Sequence, residues 1–228
     1  MNEPKVDFDD YTENYNSLLR ESTGFFSESE AYFAKYKVDI LRREVPVGVK
    51  RLLEYGCGIG RNIPFLRAAF PEATITGSDI SEASLEIARK ENPGVEFFLE
   101  HADTDVADLY EVIFIAGVFH HIPLGERAAV MRTLFLRLSP GGTIVVFEHN
   151  PYNPVTRRIV NDCPYDRDAV LLRPSELREL LVGAGLPVRH GAYCLFVPPS
   201  LSVLMPIEAK LGWLPLGGQY WVKATRPA

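Results

Sequence analysis

The chain has 228 residues, of which 46% are hydrophobic and 24% are charged, and its formal net charge is −6. This composition is typical of a globular protein with one large domain, or one domain and a modest cap, and argues against a disordered chain. The acidic charge argues against nucleic acid as the main partner, because nucleic-acid binding relies on basic residues that neutralise phosphates. The first 36 residues carry eight acidic and three basic side chains, which accounts for nearly the whole imbalance.

The cysteines are few and scattered. Cys57, Cys163 and Cys194 cannot build a disulfide framework, and no set of His, Asp and Glu residues has the spacing of a metal site along the chain. We therefore expect reduced thiols and no bound metal. The N-terminal segment lacks an apolar signal sequence, and no apolar run is long enough to cross a bilayer. These features predict a soluble, cytoplasmic protein without a membrane span.

From about residue 50 onwards, short apolar segments alternate with amphipathic ones. The first 47 residues are expected to form a helical, aromatic cap, with Tyr32, Tyr36 and Ile40 at four-residue spacing. Beyond this cap the pattern predicts strands at 51–55, 73–79, 95–100, 110–116 and 143–147, and helices at 61–69, 82–91 and 124–138. Ser81 is a predicted helix cap, and Pro140-Gly141-Gly142 is predicted to end the third of these helices.

After residue 150 the pattern changes. Residues 150–172 are predicted to form an ordered insertion or lid, followed by a helix from Pro174 that stops near Gly185. Two final strands are predicted at 188–197 and 219–224. Repeated strand–helix units predict a parallel sheet with right-handed crossovers. The expected fold class is therefore α/β with a doubly wound sheet, which binds ligands beyond the carboxyl ends of its strands.

A glycine-rich turn follows the first predicted strand directly. Residues 54–60 read EYGCGIG. Glycines at alternate positions let the backbone turn sharply and let a ligand approach the main chain where a Cβ would collide. The turn departs from the dehydrogenase pattern G-x-G-x-x-G because its third glycine comes one position early, and an acidic residue, Glu54, precedes it.

The turn resembles the first motif, (D/E)-x-G-x-G-x-G, of the class I S-adenosylmethionine (SAM)-dependent methyltransferases, especially the small-molecule enzymes of the ubiquinone and menaquinone biosynthesis type. Three later segments resemble further motifs of this family in the same order: GSDIS at 77–81, HADT at 101–104 and AGVFHHIP at 116–123. The resemblance covers about residues 50–150. It implies a Rossmann-like methyltransferase fold with a mostly parallel seven-stranded sheet. The expected division is an N-terminal helical cap (1–47) and a methyltransferase domain (48–228) with an insertion near 150–172.

The resemblance also implies that SAM is the cofactor and indicates where it binds. Asp79 would accept the ribose hydroxyls, Asp103 would contact the adenine amino group, with Asp105 as a neighbouring alternative, and the backbone near Ala116 would meet the methionine end. The full set of expected cofactor-binding residues is Glu54, Gly56, Cys57, Gly58, Gly60, Asp79, Ile80, Asp103, Thr104 and Ala116.

Three of the five histidines, His120, His121 and His149, follow the fourth and fifth predicted strands. In a doubly wound sheet these positions face the ligand crevice. Methyl transfer from a sulfonium is an in-line displacement, and a hydroxyl acceptor benefits from a nearby base, a role that suits histidine near neutral pH. We interpret His120 or His121 as the catalytic base or as a residue that positions the acceptor. The alternative is that the pair only packs its loop against the insertion.

The acceptor is expected to be a small molecule, with a hydroxyl oxygen favoured over nitrogen or carbon and with glycans or lipid-linked intermediates among the candidates. The apolar stretch 201–216 favours a partly hydrophobic acceptor or a homodimer contact. Nucleic acid is not expected as a partner, because Asn150-Pro151-Tyr152-Asn153 lacks the second proline of the N-P-P-Y motif and follows the wrong strand. Two other functions stay open: a nucleotide-cofactor (NAD-type) oxidoreductase and a non-catalytic SAM-fold binding protein.

Overall fold

The computed structural model of the chain describes residues 30–101, 109–208 and 210–228. The strands in these ranges are β1 (Arg51–Tyr55), β2 (Thr74–Asp79), β3 (Glu96–Leu99), β4 (Tyr110–Ala116), β5 (Leu138–His149), β6 (Val188–Cys194) and β7 (Gln219–Thr225). The α-helices are α1 (Glu30–Glu44), α2 (Ile63–Ala69), α3 (Glu82–Glu91), α4 (Arg127–Arg137), α5 (Pro154–Asp162), α6 (Pro174–Gly183) and α7 (Met205–Glu208). Short 3-10 helices lie at Phe119–His121, Pro164–Asp166 and Pro199–Leu204.

The strands form one sheet in the order β3-β2-β1-β4-β5-β7-β6. Strands β1 to β5 pair with one another in parallel, whereas β7 lies between β5 and β6 and is antiparallel to both. The predicted doubly wound, mostly parallel seven-stranded sheet is confirmed. From β1 the chain first builds outward through β2 and β3 and then continues on the opposite side with β4. The carboxyl ends of β1 and β4 therefore flank the point where a doubly wound sheet has its ligand crevice.

The central strands are buried on both faces, so alternate residues belong to opposite apolar layers. In β4, Val112 and Phe114 belong to the layer that contains buried residues of α1, α2 and α3. Ile113 and Ile115 belong to the layer that contains buried residues of α4 and α6. This double burial explains why the strand reads as a continuous apolar run in the sequence.

Two predicted helix boundaries show how local chemistry sets the elements. Ser81 caps α3 as expected, since its hydroxyl accepts the backbone N–H of Ser84 at 3.0 Å. Helix α2 begins at Ile63, two residues later than predicted. The reason is that the glycine turn continues further, with the N–H of Ile63 donating to the carbonyl of Gly60 at 3.2 Å.

The segment Pro140-Gly141-Gly142 corrects the sequence-based boundary between the third helix and the fifth strand. Strand β5 already begins at Leu138, and the segment forms an irregularity within it, since Tyr110 pairs with Leu138 and Val112 with Thr143. The backbone of the segment is paired with the end of the chain. Gly141 donates to the carbonyl of Arg226 at 3.0 Å, and Arg226 donates to the carbonyl of Gly142 at 2.9 Å.

Helix α1 forms the described part of the predicted N-terminal cap. Its buried residues join the apolar layer of α2 and α3, and the Tyr36 hydroxyl donates to Glu208 Oε1 at 2.5 Å while accepting the N–H of Leu195 at 3.2 Å. The cap is thus attached to the C-terminal part of the chain. The remainder of the predicted cap, residues 1–29, lies outside the described residues. Among the described helices, none is both long and apolar enough to cross a membrane.

Candidate active site

The glycine turn after β1 depends on backbone angles that only glycine adopts readily. Gly56, Gly58 and Gly60 have φ values of +69°, +52° and +78°. A Cβ added to Gly56 would lie 2.4 Å from Val118 Cγ2, so the turn packs directly against the loop after β4. A Cβ added to Gly58 would have no described atom within 4 Å. The turn therefore contacts protein at Gly56 and faces open space at Gly58.

Asp79, at the end of β2, holds the glycine turn in place. Its Oδ2 accepts the N–H of Gly58 at 2.7 Å and its Oδ1 accepts the N–H of Ser81 at 3.0 Å. Burial raises the pKa of Asp79, and these backbone hydrogen bonds oppose that rise. The next side chain, Ile80, is 56% exposed, so apolar surface lies beside the carboxylate. A polar acceptor next to an apolar surface suits a ribose and its attached base.

Glu54 lies at the end of β1 and is almost completely buried. Its Oε1 accepts a hydrogen bond from Asn62 Nδ2 at 2.6 Å, whereas Oε2 has no hydrogen-bond partner within the described part of the chain. Burial raises the pKa of Glu54 to about 8. A buried carboxylate oxygen without a partner is costly, so a cationic ligand group at this position would stabilise it.

The 3-10 turn after β4 is organised by Glu148 of β5. Glu148 Oε1 accepts the N–H groups of Val118 at 3.1 Å and Phe119 at 2.7 Å, and Oε2 lies 2.6 Å from His120 Nδ1. Both Glu148 and His120 are buried. Burial lowers the pKa of His120, but the carboxylates of Glu148 and Asp166 outweigh this effect and raise that pKa to about 9.

The predicted insertion brings a second carboxylate to the histidines. Asp166 Oδ1 lies 3.3 Å from His121 Nε2 and 3.6 Å from His120 Nε2. Burial and the neighbouring His120 lower the pKa of His121 to about 3, so its ring is neutral at neutral pH. The His149 ring lies 5.0 Å from the His120 ring, centroid to centroid. Three elements distant in sequence therefore meet at this edge of the sheet.

The structure brings most of the predicted site residues together. Glu54, Gly56, Cys57, Gly58, Gly60, Asp79 and Ile80 lie at the ends of β1 and β2, and Ala116 ends β4 immediately before the histidine turn. The contact between Gly56 and Val118 joins the two groups. Asp103 and Thr104 lie outside the described residues, so their predicted roles stay predictions.

Two residues of the candidate site, Asp166 and Lys37, were not predicted from the sequence. Asp166 lies 45 positions after His121, and no local pattern signals their contact. Lys37 of α1 lies close enough to Glu54 for their charges to interact: burial lowers the pKa of the Lys37 ammonium, and Glu54 opposes that effect most strongly. The cap therefore places a cation near the glycine turn, and in the sequence only the position of this segment before the first strand suggested a cap over the site.

Comparison with known proteins identifies the family. A family model described as a methyltransferase domain matches residues 53–144. The trans-aconitate 2-methyltransferase of Acidovorax ebreus is 31% identical over 189 residues, which cover 75% of this chain and 72% of that protein. The chain belongs to the class I SAM-dependent methyltransferases. A second relative, the trans-aconitate 2-methyltransferase of Methylobacterium nodulans, is 31% identical over 136 residues. These residues cover 56% of this chain but only 50% of that relative.

Solved structures agree with this fold. A SAM-dependent methyltransferase from Archaeoglobus fulgidus has a TM-score of 0.67 at 17% identity, covering 93% of this chain and all of that one. The mitomycin 7-O-methyltransferase MmcR has a TM-score of 0.68 at 16% identity, covering 97% of this chain and 61% of that one. The expected Rossmann-like methyltransferase fold is confirmed. The cofactor of the family, SAM, fits the turn, because Glu54 offers an unpaired oxygen and Gly58 faces open space.

Replacing Gly56 with Ala should strongly destabilise the protein. The added Cβ would meet Val118 at 2.4 Å and would also force Ala into the left-handed region, which costs about 1–2 kcal/mol by itself. We expect the free energy of unfolding, measured by chemical denaturation, to fall by more than about 2 kcal/mol, as for other overpacked sites.

Two companion variants separate the clash from the backbone strain. Gly58→Ala, where space is open, should lose only the cost of the φ angle, about 1 kcal/mol. Adding Val118→Ala to Gly56→Ala removes the two nearest Cγ atoms, so it should restore the stability lost to the clash and leave the cost of the φ angle. A double variant no more stable than Gly56→Ala would show that the contact between the two loops does not limit this position.

Binding of S-adenosylhomocysteine, measured by calorimetry, should weaken as the pH falls below about 8. The pKa of Glu54 is raised to about 8, and a ligand ammonium needs the ionised carboxylate, so binding at lower pH must first remove a proton. The Kd should therefore rise by up to about tenfold per pH unit below this pKa and level off above it.

Glu54→Gln should bind weakly and lose this pH dependence, whereas the exposed Glu86→Gln should keep it. A wild-type Kd that is constant from pH 6 to 8.5 would rule out this role for Glu54.

Proposed function

We propose that this protein transfers the methyl group of SAM to an oxygen atom of a small-molecule acceptor. The observation that carries the proposal is the cluster of His120, His121, Glu148 and Asp166, which lies beyond β4 and β5 and adjoins the glycine turn through Val118. A cofactor site and a polar cluster in one crevice are what a group-transfer enzyme needs. The same arrangement argues against a non-catalytic SAM-fold binding protein, which requires only the cofactor site.

The residues at the ends of β1 and β2 would hold the cofactor. Glu54, with its unpaired oxygen, would accept the ammonium of the methionine end. Asp79 would accept the ribose hydroxyls, and the exposed Ile80 would pack against the adenine. The backbone from Ala116 would border the reacting end, which brings the methyl group towards the histidine turn. SAM itself supplies the activated methyl group.

Bound SAM would supply an activated methyl group for in-line transfer to the acceptor oxygen, with S-adenosylhomocysteine as the leaving group. The protein's contribution is to hold the two reactants in line and to exclude water. A hydroxyl acceptor must also lose a proton. His121 is neutral, lies beside Asp166 and is placed to accept a hydrogen bond from the acceptor hydroxyl. Because its pKa is lowered to about 3, it would take the proton only as the oxygen–methyl bond forms and the acceptor oxygen becomes strongly acidic. His120, enclosed by two carboxylates, would position its neighbours.

A carboxylate oxygen is the second candidate acceptor atom. It is favoured by the relatives, which are named for trans-aconitate, a tricarboxylic acid whose nucleophilic atoms are oxygens. A carboxylate carries no proton at neutral pH, so its methylation needs positioning and no base. A hydroxyl stays the acceptor predicted from the sequence, and glycan or lipid-linked acceptors and a homodimer also stay predictions.

Transfer of labelled methyl from SAM to a panel of carboxylic acids, including trans-aconitate, and of hydroxylated metabolites tests the proposal. We expect an O-methyl product, and kcat should fall about 100-fold or more in His121→Ala for a hydroxyl acceptor. For a carboxylate acceptor the same variant should change KM more than kcat. S-adenosylhomocysteine affinity should stay unchanged in both cases, which separates a catalytic defect from a cofactor defect.

The matched control for this assay is His190→Ala, since His190 is half-exposed and pairs with Glu44 away from the crevice. Its turnover should equal that of the wild type. Full turnover in both His121→Ala and His120→Ala would refute a role for the histidine pair. Cofactor binding without any transfer across the panel would instead favour the non-catalytic alternative.

A further inference from the structure

Two histidine nitrogens and one carboxylate oxygen converge at the edge of the crevice. His121 Nε2 and His120 Nε2 lie 3.3 Å and 3.6 Å from the same atom, Asp166 Oδ1. Within the described part of the chain, His120, His121 and Asp166 each offer one ligand atom, and these three atoms lie within 4.8 Å of one another. The three side chains come from the turn after β4 and from the insertion, and they are buried or nearly so.

The separations are those of metal ligands. A charge-assisted hydrogen bond between a ring nitrogen and a carboxylate is about 2.7–2.9 Å long, and a contact of 3.6 Å is no longer a hydrogen bond. Nitrogen and oxygen ligands that lie about 2.0–2.1 Å from a tetrahedral Zn²⁺ are about 3.3–3.4 Å apart. The 3.3 Å contact of Asp166 with His121 matches that edge length, and the 3.6 Å contact with His120 is slightly longer.

Glu148 supplies the outer carboxylate that metal-binding histidines usually have. Its Oε2 lies 2.6 Å from His120 Nδ1, so Nδ1 donates its proton to Glu148. A metal ion at His120 Nε2 would replace the second proton of the ring on the side that faces Asp166. The other oxygen of Glu148 accepts two backbone N–H groups, which fixes the carboxylate and hence the orientation of the imidazole.

The charges and the rigidity of the cluster agree with a divalent ion. Glu148 and Asp166 place two carboxylates in a mostly buried region, and one divalent cation would balance both. The insertion is already fixed against the histidine turn, since the N–H of Val170 donates to the carbonyl of His120 at 2.8 Å. The Arg127 guanidinium donates to the carbonyls of Val170 at 2.7 Å and Ile122 at 2.8 Å. Binding would therefore need little reorganisation of the chain.

We propose that His120 Nε2, His121 Nε2 and Asp166 Oδ1 bind a divalent transition-metal ion, with Zn²⁺ as the first candidate. Three protein ligands leave a fourth position, as in catalytic zinc sites, for water or for an acceptor oxygen. An oxygen bound there would be held in place and made more acidic. This role in catalysis rests on the proposed function, whereas the binding of the ion does not. Spacing along the chain gave no sign of the site, because Asp166 reaches it only through the fold.

Metal titration of the chelator-treated, full-length protein tests the site. Calorimetry should show one equivalent of Zn²⁺, and Co²⁺ should give the visible absorption bands of a tetrahedral nitrogen–oxygen site. Asp166→Asn and His121→Ala should each weaken binding at least about 100-fold, and Glu148→Gln about 10–100-fold. Thermal melting of each variant without metal should confirm that it is folded.

The matched controls are Asp162→Asn, an exposed carboxylate of the same insertion, and His190→Ala, both of which should bind Zn²⁺ as the wild type does. No stoichiometric binding, or binding that a folded Asp166→Asn retains, would overturn the proposal. Methyl transfer by a metal-free protein whose rate Zn²⁺ leaves unchanged would overturn the ion's catalytic role and leave the proposed function standing. Zn²⁺ binding without transfer to any acceptor would count against the proposed function alone.

Discussion

Parallel strands that end in a buried crevice leave backbone N–H groups in the following loops, and each of those groups needs an acceptor. In this protein two carboxylates provide them. Asp79 at the end of β2 accepts the N–H of Gly58 in the loop after β1, and Glu148 near the end of β5 accepts the N–H groups of Val118 and Phe119 in the loop after β4. In both cases the acceptor comes from the adjacent strand on the outer side. The two loops that flank the crevice are thereby fixed by equivalent hydrogen bonds.

The rest of the site depends on this arrangement. Because both loops are held, Gly56 packs closely against Val118. This contact joins the loop after β1 to the loop after β4. Glu54 has one oxygen unpaired among the described residues, and a cationic ligand group would satisfy it. On the acceptor side, the second oxygen of Glu148 orients His120 towards Asp166. One carboxylate thus shapes the loop and also directs the histidine cluster.

Much of the fold was predictable from the sequence, because local signals determine it. The apolar runs of β1 and β4 gave their bounds correctly, and Ser81 caps α3 as its side chain predicts. The glycine turn and Asp79 also predicted that a candidate site lies at the strand ends, where the structure brings these residues together. What the sequence did not reveal depends on contacts between distant segments. The strand β5 incorporates Pro140-Gly141-Gly142 because residues near the C-terminus pair with it, and Asp166 reaches the histidines only after the insertion folds back.

The central claim is that the crevice binds SAM through the glycine turn and Asp79, and calorimetric titration with SAM, S-adenosylhomocysteine and NAD tests it most directly. Asp79→Asn is the informative variant, since it keeps an acceptor for the N–H of Gly58 but removes the charge that would meet the ribose. We expect the wild-type protein to bind SAM and S-adenosylhomocysteine and not to bind NAD. Asp79→Asn should bind both ligands at least about tenfold more weakly, because a charged hydrogen-bond partner is lost. Binding of NAD alone, or S-adenosylhomocysteine binding that Asp79→Asn leaves unchanged, would contradict the central claim.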